Sequence, residues 1–224
     1  MEHTDKDILI RVEDLTRGYP ENPTKVFDRF HFALTSNEFR VLMGRSGTGK
    51  TTLARLIIGQ ITPPHKTIFY RDEDISKFTE IDQENYRRKI GIVFQDYKLL
   101  EELSVKENVS YPLKVLGLGE TIISSKLDTI IQKLGLRDII NTPVKFLSAG
   151  EKQKICLARA MIHDPEFLIA DEPTGNLDWE HTQQVADLLM EVHKMGNTVL
   201  LITHDIHLVH YLKEKYQITL DVLK

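Results

Sequence analysis

The chain has 224 residues, of which 41% are hydrophobic, and this suits one globular domain with a substantial core. Its formal net charge of −4 gives no support for a nucleic-acid-binding protein, which is usually basic, so no nucleic acid is expected as a partner. A single cysteine, Cys156, excludes an intrachain disulfide, and the polar start and the lack of a long apolar run predict neither a signal peptide nor a transmembrane segment.

The first part of the chain has the apolar patterning typical of strands. Residues 8–18 and 25–34 are predicted as two strands joined by a turn with two prolines, and Tyr19 follows the first of them. A third apolar run, residues 39–43, is predicted as the strand that leads into a glycine-rich segment.

The glycine-rich segment is Gly44-Arg45-Ser46-Gly47-Thr48-Gly49-Lys50-Thr51, the phosphate-loop pattern of glycine, four residues and Gly-Lys-Thr. Its glycines let successive N–H groups face phosphate oxygens, and the following helix adds the partial positive charge of its N-terminus. We predict that Lys50 contacts the β- and γ-phosphates of a bound nucleotide, that the Thr51 hydroxyl binds Mg²⁺, and that Thr52 completes the loop. The alternative is a glycine-rich turn with a surface lysine. With a nucleotide bound here, Tyr19 is a candidate for stacking on adenine, although such an aromatic often only packs.

Short elements follow the loop. The sequence predicts a helix over 52–58 that ends near Gly59, a strand over 67–70, a helix in the second half of 72–89 and a strand over 90–95. Gln95 ends that strand and is a candidate contact for the metal or for the attacking water. Without its neighbours, a solvated glutamine would be the simpler interpretation.

The central part of the chain is predicted to be helical. Residues 122–134 repeat apolar side chains on one helix face, with Gly135 as a stop signal. The segment Leu147-Ser148-Ala149-Gly150-Glu151 opens another helix. We interpret residues 97–150 as a mostly helical lobe.

Strand character returns at 166–172, a buried run that ends in Asp171 and Glu172. A helix over 178–195, a strand over 198–203 that ends at His204, a helix over 206–215 and a last alternating segment over 216–222 follow. Asp171 is a candidate ligand of Mg²⁺, Glu172 a candidate for polarising the attacking water, and His204 a candidate contact of the γ-phosphate. The alternatives are an acidic pair that caps a turn and a structural histidine.

Apolar strands that alternate with helices predict an α/β fold with a parallel sheet covered on both faces. Ligands of such sheets bind beyond the carboxyl ends of the strands. The phosphate loop, Gln95, Asp171, Glu172 and His204 all fall at such ends, so we expect them to share one site in a P-loop NTPase.

The order of these motifs resembles that of ATP-binding cassette (ABC) ATPases over nearly the whole chain. Residues 147–151 are similar to the signature motif of the family, with Ala149 where a glycine is usual. The resemblance implies a single ABC ATP-binding domain over 1–224, with a RecA-like core (1–96 and 151–224), an antiparallel β subdomain and a helical subdomain (about 97–150). It also implies an enzyme that hydrolyses ATP to ADP and phosphate, with Glu172, His204 and Gln95 as catalytic residues and Thr51, Gln95 and Asp171 at Mg²⁺.

The resemblance further implies a homodimer that forms on ATP binding. Ser148, Ala149, Gly150 and Glu151 of one copy then face the ATP held by the other. A segment similar to the loop that crosses the dimer interface of the family consists of Asn176, Leu177 and Asp178. The implied partner is an integral membrane subunit, and the implied location is peripheral, on the cytoplasmic face of the cell membrane.

Within the family, residues 171–178 resemble the branch of cell-division, lipoprotein-release and macrolide-efflux ATPases. Residues 94–100 and 203–209 are most similar to the cell-division members, which signal through a membrane protein to cell-wall hydrolases. The alternatives are an exporter subunit of a sister branch, a soluble ABC protein that acts on nucleic acid or the ribosome, and a small-molecule P-loop kinase. The signature-like segment and His204 argue against the kinase.

Overall fold

The computed structural model describes residues 7–19, 22–175 and 177–223, which form two β-sheets with helices packed around them. The strands are β1 (Ile8–Tyr19), β2 (Asn22–Thr35), β3 (Phe39–Gly44), β4 (Ile68–Tyr70), β5 (Glu73–Asp74), β6 (Ile90–Val93), β7 (Phe167–Asp171), β8 (Thr198–Thr203) and β9 (Thr219–Leu223). The α-helices are α1 (Lys50–Ile57), α2 (Glu80–Arg87), α3 (Val105–Val115), α4 (Glu120–Lys133), α5 (Ala149–Met161), α6 (Trp179–Lys194) and α7 (Ile206–Lys215).

The central sheet is parallel, in the order β6-β7-β8-β3-β9, and both of its faces are covered. Strand β8 illustrates this, because Val199 and Leu201 pack into one hydrophobic core while Leu200 and Ile202 pack into another. The prediction of a parallel sheet buried on both faces is confirmed. Every strand of this sheet ends at the same edge, which is where the candidate site lies.

The second sheet is antiparallel, in the order β2-β1-β4-β5. Val12 of β1 lies between Phe32 of β2 and Ile68 of β4. Its buried face and α1 form one core with the central sheet, in which Leu9, Ile10, Leu53 and Leu56 are fully or almost fully enclosed. The two sheets therefore meet around α1, the helix that follows the phosphate loop.

Helices α3, α4 and α5, together with α6 and α7, form the core on the other face of the central sheet. Helices α3 and α4 lie within the lobe predicted over 97–150, whereas α5 begins at its end. Val109, Ile123, Leu127 and Ile155 join this core. Helix α3 continues past Pro112 to Val115, although proline has no N–H to donate to the carbonyl group four residues earlier. The subdomain boundaries at 96–97 and 150–151 remain a prediction.

The last strand, β9, lies at the edge of the parallel sheet beside β3. Arg40 of β3 holds it through two hydrogen bonds to Asp221, at 2.6 and 3.2 Å. This edge places the chain's last described residues under the phosphate loop, since Leu223 pairs with Gly44. None of the helices in the described ranges is long and apolar enough to cross a bilayer.

Candidate active site

The phosphate loop connects β3 to α1 through backbone conformations that favour glycine. Gly47 and Gly49 have φ angles of 83° and 93°, in the left-handed region. A methyl group at Gly49 would also lie 2.2 Å from Cγ1 of Val26. Gly49 is the N-cap of α1, so the helix begins at Lys50, two residues before the predicted start.

Lys50 is buried at the base of this loop. Its ammonium group donates hydrogen bonds to the carbonyl oxygens of Gly44 and Arg45, at 2.7 and 2.9 Å. It also lies 3.5 Å from Oε1 of Glu172. The Thr48 hydroxyl donates to the Arg45 carbonyl at 2.9 Å, which closes the loop on itself. The positive charge of Lys50 therefore lies within the loop, where it can compensate the charge of a bound polyphosphate.

Glu172 is held by the end of β8. Its Oε2 accepts hydrogen bonds from the Thr203 hydroxyl and the His204 N–H, both at 3.3 Å. Its Oε1 lies 2.8 Å from Nδ1 of His204. The backbone of Glu172 has a φ of 48°, unusual for a residue other than glycine and most often found where function requires it. The carboxylate is therefore fixed in direction by its neighbours on β8.

Asp171, the last residue of β7, carries an unpartnered oxygen. The side chain is 3% exposed, and Oδ1 has no hydrogen-bond donor among the described residues. Burial raises the pKa of this carboxyl group, the Thr51 hydroxyl opposes the rise by hydrogen bonding, and the charge of Glu172 adds to it. A buried carboxylate oxygen without a donor is costly in a protein and is typical of a site that binds a cation.

Lys50, Glu172 and His204 line one cavity of about 280 Å³. Its walls are formed by Val26, Ser46, Gly47, Gly49, Lys50, Thr51, Thr52, Gln95, Glu172 and His204. Gly44, Arg45 and Thr48 build the loop without lining the cavity, and Asp171 lies behind Thr51. The Gln95 amide is close to the turn after Glu172, since a methyl group on Gly175 would be 3.4 Å from Nε2.

Sequence reasoning did not find Val26 and Thr203 as parts of the site. Val26 is an ordinary apolar residue of β2 in the sequence, and only the packing of β2 on the loop brings it to the cavity. Thr203 ends β8 immediately before His204, a position from which its contact with Glu172 could have been suspected.

The signature-like segment does not line this cavity. Ser148 is the N-cap of α5, and its N–H and hydroxyl both donate to Oε2 of Glu151, at 2.8 and 2.6 Å. These hydrogen bonds lower the pKa of Glu151. Gly150 packs on the ring of His181, with a hypothetical methyl group only 2.5 Å from Cδ2. The N-terminus of α5, which begins at Ala149, is thus separate from the cavity, and both donors of Ser148 are engaged by Glu151.

The segment before α6 is described in part. Asp178 is the N-cap of α6 and accepts a hydrogen bond from the His181 N–H at 2.9 Å. Leu177 packs against the main core. Asn176 and the side chain of Tyr19 lie outside the described residues, so their predicted roles remain predictions.

A phosphate loop between β3 and α1, a histidine after the neighbouring strand β8 and two acidic residues at the end of β7, on the far side of β8, define a P-loop nucleoside triphosphatase. The family profile described as ABC transporter matches residues 27–175 of this chain. The chain belongs to the ABC transporter family, and it is an ATPase.

Curated relatives match over almost the entire length. The chain is 33% identical over 208 residues to the cell division ATP-binding protein FtsE of Mycobacterium tuberculosis, covering 93% of this chain and 90% of that protein. It is 35% identical over 217 residues to the lipoprotein-releasing system ATP-binding protein LolD of Hydrogenovibrio crunogenus, covering 95% and 94%. Among solved structures, the dimeric bacterial ABC transporter cassette MJ0796 is 26% identical with a TM-score of 0.80, covering 91% of each chain.

Proposed function

We propose that two copies of this chain close around two ATP molecules and that the cycle of closure and hydrolysis drives a membrane subunit of the FtsX type. One observation carries the catalytic part of this proposal: Glu172 contacts both Lys50 and His204 in a single cavity beside the phosphate loop. The expected result of the cycle is a signal to cell-wall hydrolases rather than the transport of a solute.

In the proposed hydrolysis, Glu172 accepts a proton from the attacking water while Lys50 compensates the charge of the phosphates. His204 orients the Glu172 carboxylate through the 2.8 Å contact at Nδ1. Because Nδ1 is engaged by Glu172, Nε2 of His204 donates to a phosphate oxygen only when the ring carries both protons. Gln95 faces the same cavity and contacts the water or the metal.

Thr51, Gln95 and Asp171 fit a Mg²⁺ ion, which when bound neutralises phosphate charge and polarises the reacting bond. The fit rests on the unpartnered Oδ1 of Asp171 and on the chemistry of the set, a hydroxyl, an amide oxygen and a carboxylate. Within the described residues, no group of three or more His, Cys, Asp or Glu side chains could hold a metal alone. This agrees with Mg²⁺, which is usually bound by one or two carboxylates together with substrate phosphates and water.

The dimer is supported by the separation of two groups of anion-binding donors. One is the phosphate loop, and the other is the N-terminus of α5, which is capped by Ser148 and is absent from the lining of the cavity. A second copy would bring its α5 to the phosphates held by the first. MJ0796, to which the chain is similar, is described as dimeric.

A groove between α2 and α3 is the proposed docking surface for the membrane subunit. It has a volume of about 630 Å³ and an apolar wall that includes Ile92, Phe94 and Tyr111. Val115 is 68% exposed at its rim, although it is apolar. Phe94 and Lys98, which flank Gln95 in the sequence, both line the groove. A docked partner would therefore contact the part of the chain that reaches the nucleotide. The proposed location is accordingly peripheral, on the cytoplasmic face of the membrane.

The second candidate is the ATPase of a lipoprotein-release or macrolide-type exporter, which the similarity to LolD supports. The two candidates differ in the membrane protein that they require. An FtsX-type partner is expected to be a four-span protein with one large extracytoplasmic domain. Purification of the chain from native membranes, with the partner identified by mass spectrometry, decides between them, and a partner of the exporter type would overturn the cell-division assignment.

The docking surface has its own test. Val115→Asp should abolish co-purification of the membrane subunit without loss of ATPase activity, because it places a charge on an exposed apolar position. Ile122→Asp is the matched control, since Ile122 is 49% exposed on α4, outside the groove. Equal loss with both variants, or with neither, would refute the assignment of the groove.

The ATP-dependent dimer is tested with Glu172→Gln, which should bind ATP, hydrolyse it poorly and accumulate as a dimer. Light scattering after size-exclusion chromatography with MgATP measures this. The control is the same variant with Lys50→Ala, which should stay monomeric because it cannot hold the nucleotide. A Glu172→Gln protein that remains monomeric at high concentration with ATP bound counts against the proposal.

A further inference from the structure

Helix α5 is tied to the segment that follows Gln95 by an arginine that the hydrolytic machinery does not use. Arg159 donates from Nη1 to the carbonyl oxygen of Lys98 at 2.6 Å and from Nη2 to that of Tyr97 at 2.7 Å. One turn earlier on α5, the Cys156 thiol contacts the same Tyr97 carbonyl at 3.3 Å. Hydrogen bonds from a charged donor are short and strong, so the two bonds from Arg159 hold α5 to that segment more strongly than the thiol does.

The segment that Arg159 holds is strained. Tyr97 and Lys98 have φ angles of 60° and 50°, so two consecutive residues other than glycine are left-handed. The Lys98 N–H bonds back to the Asp96 carbonyl at 2.6 Å, which makes the turn tight. Such a backbone persists only where its surroundings hold it. The carbonyl groups of these two left-handed residues are the ones that accept hydrogen bonds from Arg159.

Arg159 is dedicated to these two carbonyl groups. Within the parts of the chain that the structure describes, no carboxylate lies within ion-pair distance of its guanidinium. Partial burial lowers the pKa of Arg159 by removing water from the charge, and the carbonyl oxygens take the place of that water. A lysine here lacks the planar fork of the guanidinium and has a shorter reach, so it would not hold both carbonyl groups in the geometry that Nη1 and Nη2 provide.

The contact between Arg159 and the turn links a residue at the ATP site of its own chain to the helix that faces the ATP site of the partner. Gln95, two residues before Tyr97, lines the cavity of its own chain. Ser148, eleven residues before Arg159, begins the same helix α5. A rigid helix with Ser148 at one end and Arg159 in its last turns transmits a displacement from one to the other.

We propose that Arg159 is a positioning residue that holds the strained turn after Gln95 and makes the place of Gln95 depend on the place of α5. The inference rests on the proposed function, because it assumes that Gln95 serves the nucleotide of its own chain and Ser148 that of the partner. It makes Mg²⁺ use at one site sensitive to contacts that α5 makes with the other.

The test compares Arg159→Lys with wild type and with Arg137→Lys, a matched control at an exposed arginine away from the segment. Loss of one charge-assisted hydrogen bond should raise the Mg²⁺ concentration for half-maximal ATPase activity about fivefold and lower kcat. ATP affinity in EDTA should stay near the wild-type value, since it does not depend on Gln95.

A second variant separates positioning from a structural role. Lys98→Gly allows the left-handed turn without strain, so adding it to Arg159→Lys should restore most of the Mg²⁺ response. Arg159→Lys with wild-type Mg²⁺ dependence, or a defect that Lys98→Gly does not relieve, would overturn the inference. If the wild-type protein itself failed to hydrolyse ATP, the proposed function would fail instead, so the two outcomes are distinguishable.

Discussion

Replacing Asp171 by asparagine should stabilise the protein in the absence of metal, although it removes a residue that we assign to the metal site. Oδ1 of Asp171 is buried without a donor, and the Glu172 carboxylate lies next along the chain. A buried charged oxygen left unsatisfied costs about 1–3 kcal/mol or more. Asparagine removes the charge and keeps the shape, but it still buries one unpaired polar atom. We therefore expect a net gain of about 1 kcal/mol, equal to a rise in the thermal midpoint of roughly 2–4 °C for a domain of this size.

The pH dependence of this gain gives a second check. Because the pKa of Asp171 is raised, the folded protein keeps this proton to a higher pH than the unfolded chain does. The penalty is therefore full above the raised pKa and disappears as the pH falls through that pKa, where Asp171 becomes neutral. The advantage of Asp171→Asn should shrink over the same range, measured by thermal unfolding in EDTA at successive pH values.

The matched control is Asp187→Asn. Asp187 accepts hydrogen bonds from Tyr211, Lys215 and Tyr216 at 2.8–2.9 Å, so the same change there should destabilise the fold. Asp171→Asn should also lose MgATP hydrolysis, by about tenfold or more, because the metal loses its carboxylate. An Asp171→Asn protein that melts at or below the wild-type temperature in EDTA at every pH measured would refute the reasoning.

Two further predictions concern the phosphate loop. Gly49→Ala should lower the free energy of unfolding by about 2 kcal/mol or more, because the φ of 93° is strained for alanine and the new methyl group would lie 2.2 Å from Val26. Gly47→Ala has a similarly strained φ but no atom within 4 Å of the new methyl group, so it should lower the free energy of unfolding by only about 1 kcal/mol. Denaturant unfolding measures both, and equal losses would exclude the contact with Val26 as a cause. Lys50→Ala should weaken ATP binding about tenfold or more in calorimetry, because the loop loses its central charge, and unchanged affinity would contradict the site.

The fold was largely predictable because its strands are apolar and its turns are marked. Residues 39–43 and 198–203 were predicted as strands from apolar runs, and β3 and β8 have these bounds to within one residue. The order of the strands could not be obtained this way, since nothing local in β9 indicates that it pairs with β3 rather than extending the other edge. That choice depends on contacts such as Arg40 with Asp221, which are 181 positions apart.

For the site, the sequence indicated which residues lie together at the sheet edge, but not their backbone conformation or hydrogen bonding. The phosphate-loop pattern identified Lys50, and strand ends identified Glu172 and His204. The left-handed backbone of Glu172 and the unpartnered oxygen of Asp171 result from three-dimensional packing, which no short pattern encodes. The same holds for Arg159, whose partners are backbone carbonyl groups about 60 residues away and so leave no trace in side-chain patterning.

The backbone at Glu172 restricts which amino acids this position can accept in a mutant library or during divergence. Asparagine, aspartate and glycine tolerate a φ of 48°, whereas valine, isoleucine and threonine do not, because their branched Cβ crowds the chain. Inactive variants at position 172 should therefore fall into two groups. Some would keep a native melting curve and lack only the base, while the β-branched ones would also distort the end of β7 and lose expression.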